Sequence, residues 1–222
     1  EITALGTAQT LAWASSYYLP AILAEPVAGD LGLPSYGLFA AFSMALLVSA
    51  AAGPCAGRLI DRWGGRPVLM ASNGIFACGL FLLSQSEGAV GLAFAWIIIG
   101  VAMGGGLYEA AFATVVRQHG DKSRDAITGI TLIAGFASTI GWPLTVYLES
   151  RFGWRGACMA WAGLHVLLGL PLNALLSRAA AHGVQQRPHA PAVSAGDAAA
   201  ARDGRNKLLL AYVFAVAWFI ST

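Results

Sequence analysis

The sequence predicts an all-α membrane protein, and three observations lead to that fold class. Hydrophobic residues make up 57% of the chain and charged residues only 11%, against about 45–50% and about 25% in soluble domains. Stretches without any charged residue recur along the chain, and each supplies the roughly 20 residues that a helix needs to cross a bilayer. Basic residues are confined to the loops between these stretches, as expected for helices surrounded by lipid.

Six charge-free stretches are long enough to be transmembrane helices. Their connections are short, so consecutive helices are expected to run antiparallel and to pack as neighbours. In chain order the predicted spans are 2–24, 31–57, 67–86, 88–108, 126–148 and 156–177. Small residues recur every fourth position in two of them, where helix backbones are expected to approach closely. These residues are Ala45, Ser49, Gly53 and Gly57 in the second span, and Gly100 and Gly104 in the fourth.

The chain changes character after the sixth span. Residues 1–177 form the predicted six-helix unit. Residues 178–206 are rich in alanine, proline, glycine and scattered charge, a composition that cannot bury a core and that predicts a cytoplasmic linker. Residues 207–222 include an apolar run too short to cross a bilayer, and we interpret it as the truncated start of a seventh transmembrane helix.

The distribution of lysine and arginine predicts the orientation of the helices. Eleven of the thirteen basic residues follow the second, fourth and sixth spans. Cytoplasmic loops carry the excess of positive charge in membrane proteins. We therefore expect a multi-pass protein of the plasma (inner) membrane with a cytoplasmic N-terminus. The net charge of +2 reflects this topology, and no nucleic-acid partner is predicted from it.

The loop after the second span carries the most specific pattern in the chain. Residues 57–69 read GRLIDRWGGRPVL. This loop resembles the signature of the major facilitator superfamily, G-x-L-x-D-R-x-G-R-[KR]-x-x-L, although Gly65 stands where a basic residue is usual. Gly64 and Gly65 are predicted to allow the positive φ angles of a tight turn. The matching residues are Gly57, Leu59, Asp61, Arg62, Gly64, Arg66 and Leu69.

The resemblance implies a transporter built from two six-helix halves, with the second half missing from this chain. In such proteins this loop latches the halves together and releases them during alternating access. Asp61 is the expected clasp, because a carboxylate can accept backbone N–H groups from the N-terminus of a neighbouring helix. The gating residues that the resemblance implies are Gly57, Asp61, Arg62, Gly64 and Arg66, with Arg117 as a weaker candidate.

The resemblance also implies a substrate cavity lined by the first and fourth helices near the bilayer midplane. Two groups of polar and aromatic residues share a helical face there. For Glu109, proton coupling or binding of a cationic group stands beside a structural role near the cytoplasmic interface. His165 is expected to be a structural histidine in an outer helix. The predicted cavity residues are Gln9, Trp13, Ser16, Tyr17, Tyr108, Glu109 and Phe112.

The function implied is secondary active transport of a small organic solute, an organic acid or a drug-like compound, with proton coupling as one option. A non-transporting membrane scaffold and an intramembrane enzyme are the alternatives. An enzyme needs a nucleophile beside a base, and no serine partner for His165 is evident in the sequence. We predict no enzyme, catalytic residue, metal site or cofactor. The expected partners are a small-molecule substrate, membrane lipids and the second six-helix half.

Overall fold

The computed structural model of the chain describes residues 1–34, 36–120 and 123–176, and the regular structure among them is helical, without strands. The all-α fold class is therefore confirmed. The predicted linker and the start of a seventh helix lie outside the described residues. The helices are α1 (Ile2–Ser15), α2 (Pro20–Leu31), α3 (Gly37–Trp63), α4 (Gly65–Ser84), α5 (Gly88–Gly106), α6 (Tyr108–His119), α7 (Ser123–Ala134), α8 (Ala137–Leu164) and α9 (Leu170–Ala174), with a π-helical turn at His165–Gly169.

Four helical segments of the described chain are long and apolar enough to cross a membrane. The last of them, Ser123–Ala174, has 52 residues and reverses direction at Gly153, whose φ of 68° lies in the left-handed region. The indole nitrogen of Trp161 donates to the Thr145 hydroxyl over 3.1 Å. Sixteen residues of straight helix would separate these two positions by about 24 Å, so they belong to two antiparallel spans. The four segments are Gly37–Trp63, Gly65–Ser84, Gly88–Gln118 and Ser123–Ala174.

The first predicted span, residues 2–24, is two helices rather than one. α1 ends at Ser15 and α2 begins at Pro20, so residues 16–19 interrupt the helix. Pro20 is the first residue of α2, where the missing N–H of proline costs no helical hydrogen bond. The pair extends to Leu31 because Glu25 and Asp30 continue the helix beyond the charge-free stretch on which the predicted boundary was based.

The small residues predicted to pack closely do so where α3 meets α5. A Cβ on Gly100 would lie 2.5 Å from the carbonyl oxygen of Ala45, and a Cβ on Gly104 would lie 2.8 Å from that of Ser49. Such contacts are possible only for glycine, because a backbone atom cannot rotate away. Gly53, by contrast, has open space where its Cβ would be.

The ends of three helices meet around Arg155, two residues after the reversal at Gly153. Its guanidinium forms an ion pair of 2.9 Å with Asp30 at the end of α2 and donates to the carbonyls of Ser84 and Ser86 after α4. The indole of Trp154 donates to the same Asp30 carboxylate. Arg155 therefore joins the chain end of α2 and the α4–α5 loop to the second part of α8.

Candidate functional site

The signature loop is a tight reversal between α3 and α4. Gly64 has φ 86° and ψ 164°, a conformation that a side chain rarely tolerates. Gly65 already belongs to α4, so the prediction that it also adopts a positive φ is wrong. Its role is steric, since a Cβ there would lie 1.9 Å from the Thr114 hydroxyl oxygen. The close approach of α4 to α6 explains why a side chain does not fit at this position.

The structure brings Arg117 to the signature loop, as the sequence suggested. Its guanidinium donates to the backbone carbonyl of Asp61, near the end of α3. The Asp61 side chain is exposed and is not used in this contact. The Arg62 guanidinium lies 5.9 Å from the centre of the Trp63 ring. The loop therefore presents a carboxylate at its surface while Arg117 secures the backbone beneath it.

An aromatic cluster joins α1 to α6 and contains most of the predicted cavity residues. The ring centre of Trp13 lies 4.8 Å from that of Tyr108 and 5.2 Å from that of Tyr17, and Tyr108 stacks on Phe112 at 5.1 Å. All four side chains are half-buried. Sequence reasoning missed three further rings that extend the cluster, because they belong to other spans: Tyr18, Phe42 and Trp142.

Two buried polar atoms beside the cluster lack hydrogen-bond partners among the described residues. The Gln9 amide nitrogen donates to the Gly106 carbonyl over 2.7 Å, which identifies the other amide atom as the oxygen. That oxygen, and the indole N–H of Trp13 one turn later, are buried without partners. An unpaired buried polar group costs about 1–3 kcal/mol. One free acceptor and one free donor therefore lie close to the aromatic rings.

The other predicted cavity residues have different surroundings. Ser16 is fully buried, and its hydroxyl donates to the Ala12 carbonyl over 2.6 Å, so it is turned to the backbone rather than to the aromatic rings. Glu109 lies in the first turn of α6 with an exposed side chain. A carboxylate at that position is favoured by the helix dipole. It follows directly on the break at Leu107 between α5 and α6.

Polar side chains of α1 reach the breaks in three later helices. Gln9 bonds the Gly106 carbonyl at the α5–α6 break, and Thr10 bonds the Ile133 carbonyl before the α7–α8 break over 3.3 Å. The Ser15 hydroxyl lies 2.7 Å from Nε2 of His165, at the π-helical turn. Helix breaks free backbone groups that lipid cannot satisfy. Sequence reasoning missed this arrangement, because partners about 100–150 residues apart leave no periodic signal.

An apolar groove of about 270 Å³ lies elsewhere, between α3, α4 and α5. None of the predicted cavity residues lines it. Its one hydroxyl, on Ser72, already donates to the Ala102 carbonyl over 3.0 Å. The groove therefore offers apolar contact without a free polar group, in contrast to the aromatic cluster.

The fold and the site define a multi-pass α-helical membrane protein whose broken helices surround an aromatic, partly polar cluster. A sequence profile described as Major Facilitator Superfamily matches residues 5–222. The chain belongs to the major facilitator superfamily. It is accordingly part of a membrane transporter rather than an enzyme.

Curated relatives agree with this assignment. The chain is 30% identical over 145 residues to "Monocarboxylate transporter 11" of Mus musculus, covering 64% of this chain and 31% of the relative. It is 28% identical over 152 residues to "Monocarboxylate transporter 2" of Homo sapiens, covering 67% and 29%. It is 30% identical over 149 residues to "Multidrug resistance protein MdtL" of Klebsiella pneumoniae (strain 342), covering 65% and 37%. The matched region spans about a third of each relative's length.

Proposed function

We propose that this chain is the N-terminal half of a secondary active transporter that moves a small organic solute by alternating access. The observation that carries the proposal is the half-buried aromatic cluster on α1 and α6, with the unpartnered Gln9 oxygen and Trp13 N–H beside it. An unsatisfied donor and acceptor next to exposed ring faces suit an amphipathic ligand. Two of the relatives named above are monocarboxylate transporters and one is a multidrug resistance protein.

The chemistry of the cluster favours an organic acid or a drug-like compound with an apolar body. The rings supply apolar area, the Trp13 N–H matches a carbonyl or carboxyl oxygen, and the Gln9 oxygen matches a hydroxyl or protonated acid. Spans one and four hold no lysine or arginine beside these rings. An anion would therefore need its counter-charge from the second half, whereas an uncharged solute needs none.

Glu109 is the residue to which we assign proton coupling. It is exposed on the described structure, adjacent to Tyr108 and to the helix break. Uptake driven by an inward proton gradient is expected to lose its dependence on that gradient in Glu109→Gln. Exchange of solute across the membrane without a gradient is expected to continue. Equal gradient dependence in wild type and variant would assign coupling elsewhere.

The remaining parts of the proposal concern topology and partners. We place the protein in the plasma membrane with its N-terminus and signature loop on the cytoplasmic side. A second six-helix half completes the cavity, and the Asp61 carboxylate binds a helix N-terminus of that half in one of the two access states. Lipid surrounds the outer faces. Labelling of a cysteine introduced at Arg62 with an impermeant reagent, from each side of the membrane, tests the orientation.

Uptake into proteoliposomes containing the complete transporter tests the function. The probes are radiolabelled lactate, radiolabelled benzoate and ethidium. Gln9→Leu and Trp13→Phe remove the unpaired acceptor and donor, and both are expected to lower uptake of the transported probe about tenfold. Phe94→Ala, which removes an exposed aromatic ring of α5, is the matched control and should transport normally. A correctly inserted wild-type protein without flux of any solute would favour the scaffold alternative.

A further inference from the structure

His165 is held in a completely buried polar cluster that links three spans. It begins the π-helical turn before α9, and none of its surface is exposed. Its Nε2 lies 2.7 Å from the hydroxyl oxygen of Ser15, and its Nδ1 lies 2.8 Å from the side-chain oxygen of Asn73 in α4. We refer to Ser15, Asn73 and His165 as the histidine cluster.

The directions of the hydrogen bonds in the histidine cluster follow from its surroundings. The Asn73 amide nitrogen donates to the Leu69 carbonyl over 2.9 Å, which leaves its oxygen as the acceptor facing the imidazole. Nδ1 of His165 therefore donates, and Nε2 of the neutral ring accepts the Ser15 hydroxyl proton. Each ring nitrogen is satisfied, and the imidazole is orientated from both ends.

Packing on either side leaves the imidazole little freedom to turn. The Phe76 ring stacks on it with centres 4.8 Å apart and planes 19° apart. Gly169, at the end of the π-helical turn, lies so close to Asn73 that a Cβ there would be 2.0 Å from the Asn73 oxygen. π-helical turns of this kind occur frequently at functional sites.

The histidine cluster acts at the place where α1 stops being helical. Ser15 is the last residue of α1, and the next four residues are outside any helix. Within the segment 16–19, the Tyr18 N–H donates to the Trp13 carbonyl over 3.2 Å. Tyr17 belongs to this segment, and Trp13 is bonded to it. The positions of both rings therefore depend on how the end of α1 is held.

We propose that His165 is a positioning residue for solute binding, which acts through Ser15 to hold the segment 16–19 and so the rings of Trp13 and Tyr17. This inference rests on the proposed function, because it assigns a second set of residues to the same aromatic cluster. His165 and Ser15 are 150 residues apart in the chain, and neither belongs to the predicted cavity. The role differs from that of an ordinary packing contact, since loss of the Ser15–His165 bond should weaken solute binding more than folding.

The chain offers a matched control for ordinary packing. Trp161 and Thr145 form another buried hydrogen bond of 3.1 Å, which also involves the sixth span. Thr145→Val removes that bond without touching α1. His165→Phe keeps a ring that can stack on Phe76 and removes both imidazole hydrogen bonds, while Ser15→Ala removes only the contact with α1.

The first measurement reports on the segment itself and needs no transport. A nitroxide is attached at Tyr18→Cys of the complete transporter in nanodiscs, after the native cysteines Cys55, Cys78 and Cys158 have been replaced by alanine. Continuous-wave electron paramagnetic resonance should show at least a twofold increase in the mobile fraction of the label in Ser15→Ala and His165→Phe. Thr145→Val should leave the spectrum unchanged. Unchanged spectra in the first two variants would overturn the proposal whatever the transport result.

The second measurement separates binding from folding. For lactate, benzoate or ethidium, whichever is transported, Ser15→Ala and His165→Phe should each raise KM about tenfold with Vmax per folded molecule within twofold of wild type. The double variant should be no worse than either single one, because both act through one bond. A lowered Tm with unchanged KM would overturn the proposal. A wild type that restrains the label but moves none of the probes would contradict the proposed function, while the label result would still support the anchoring of the segment.

Discussion

The hydroxyl of Thr114 occupies the space that any side chain at Gly65 would need, 1.9 Å from the position of a Cβ. Gly65 is also the position where the signature loop departs from the basic residue usual in the family. The departure and the close approach are thus two sides of one arrangement. α4 begins at this glycine and packs directly on α6.

Gly65→Ala is expected to destabilise the protein, because its new methyl group overlaps Thr114. Overpacking of this size costs about 1–3 kcal/mol. Thermal unfolding followed by fluorescence-detected size exclusion should show a lowered Tm. The double variant Gly65→Ala with Thr114→Ala should recover most of the loss, since Thr114 otherwise bonds only within its own helix, to Ala110. Absence of any recovery would argue against the Gly65–Thr114 contact.

The contact between α3 and α5 yields a prediction about two helical glycines. Gly100→Ala should lower Tm, because its Cβ would lie 2.5 Å from the Ala45 carbonyl oxygen, and only a shift of a whole helix could relieve the overlap. Gly53→Ala, from the same pattern of small residues, meets open space. It should be neutral or stabilising by up to about 1 kcal/mol, because alanine favours helix over glycine. Equal effects of the two substitutions would contradict the packing described.

Arg155 should contribute more to stability than its carboxylate partner does. The ion pair with Asp30 is largely exposed, at 40% and 48% of the two side chains, and such pairs contribute about 0–1 kcal/mol. Arg155→Ala also removes the bonds to the Ser84 and Ser86 carbonyls. We expect Arg155→Ala to lower Tm by several degrees and Asp30→Asn to lower it less. Unfolding at low and high salt should show that only the Asp30 contribution is screened.

Asp61 and Arg117 should separate when stability and transport are measured in parallel. The bond from Arg117 goes to the Asp61 backbone, so Asp61→Asn leaves it intact and should not change Tm. Arg117→Gln removes the cation at this contact and should lower Tm. If Asp61 clasps the second half, Asp61→Asn should instead slow transport by about tenfold or more. A loss of stability in Asp61→Asn equal to that in Arg117→Gln would point to a structural carboxylate.

The sequence was informative wherever the physical cause is local. Length and apolar content predicted the membrane helices, and the spacing of Gly100 and Gly104 predicted their close contact with α3. Helical spacing also brought Trp13 and Tyr17 together as predicted, and the family resemblance paired them with Tyr108. Boundaries based on the absence of charge were less accurate, because a helix can continue past a charged residue such as Asp30.

Features that depend on distant pairing were not predictable from one sequence. Pro20 signals the start of a helix as readily as a position on a helical face, and the interpretation of span one as continuous chose the second meaning. His165 was expected to be a satisfied structural histidine in an outer helix. Its partners Ser15 and Asn73 come from two other spans, and nothing in the local pattern around any of the three identifies the others.

The bonds from α1 to the later helix breaks also have a consequence for biosynthesis. Gln9, Thr10 and Ser15 are made first, but their partners follow 97, 123 and 150 residues later. At about 5–20 residues per second, the wait for His165 is roughly 8–30 s. During that time, a polar, interrupted helix must remain near the translocation machinery or in the lipid headgroup region. The N-terminal hairpin should therefore become resistant to extraction only after the sixth span has been synthesised.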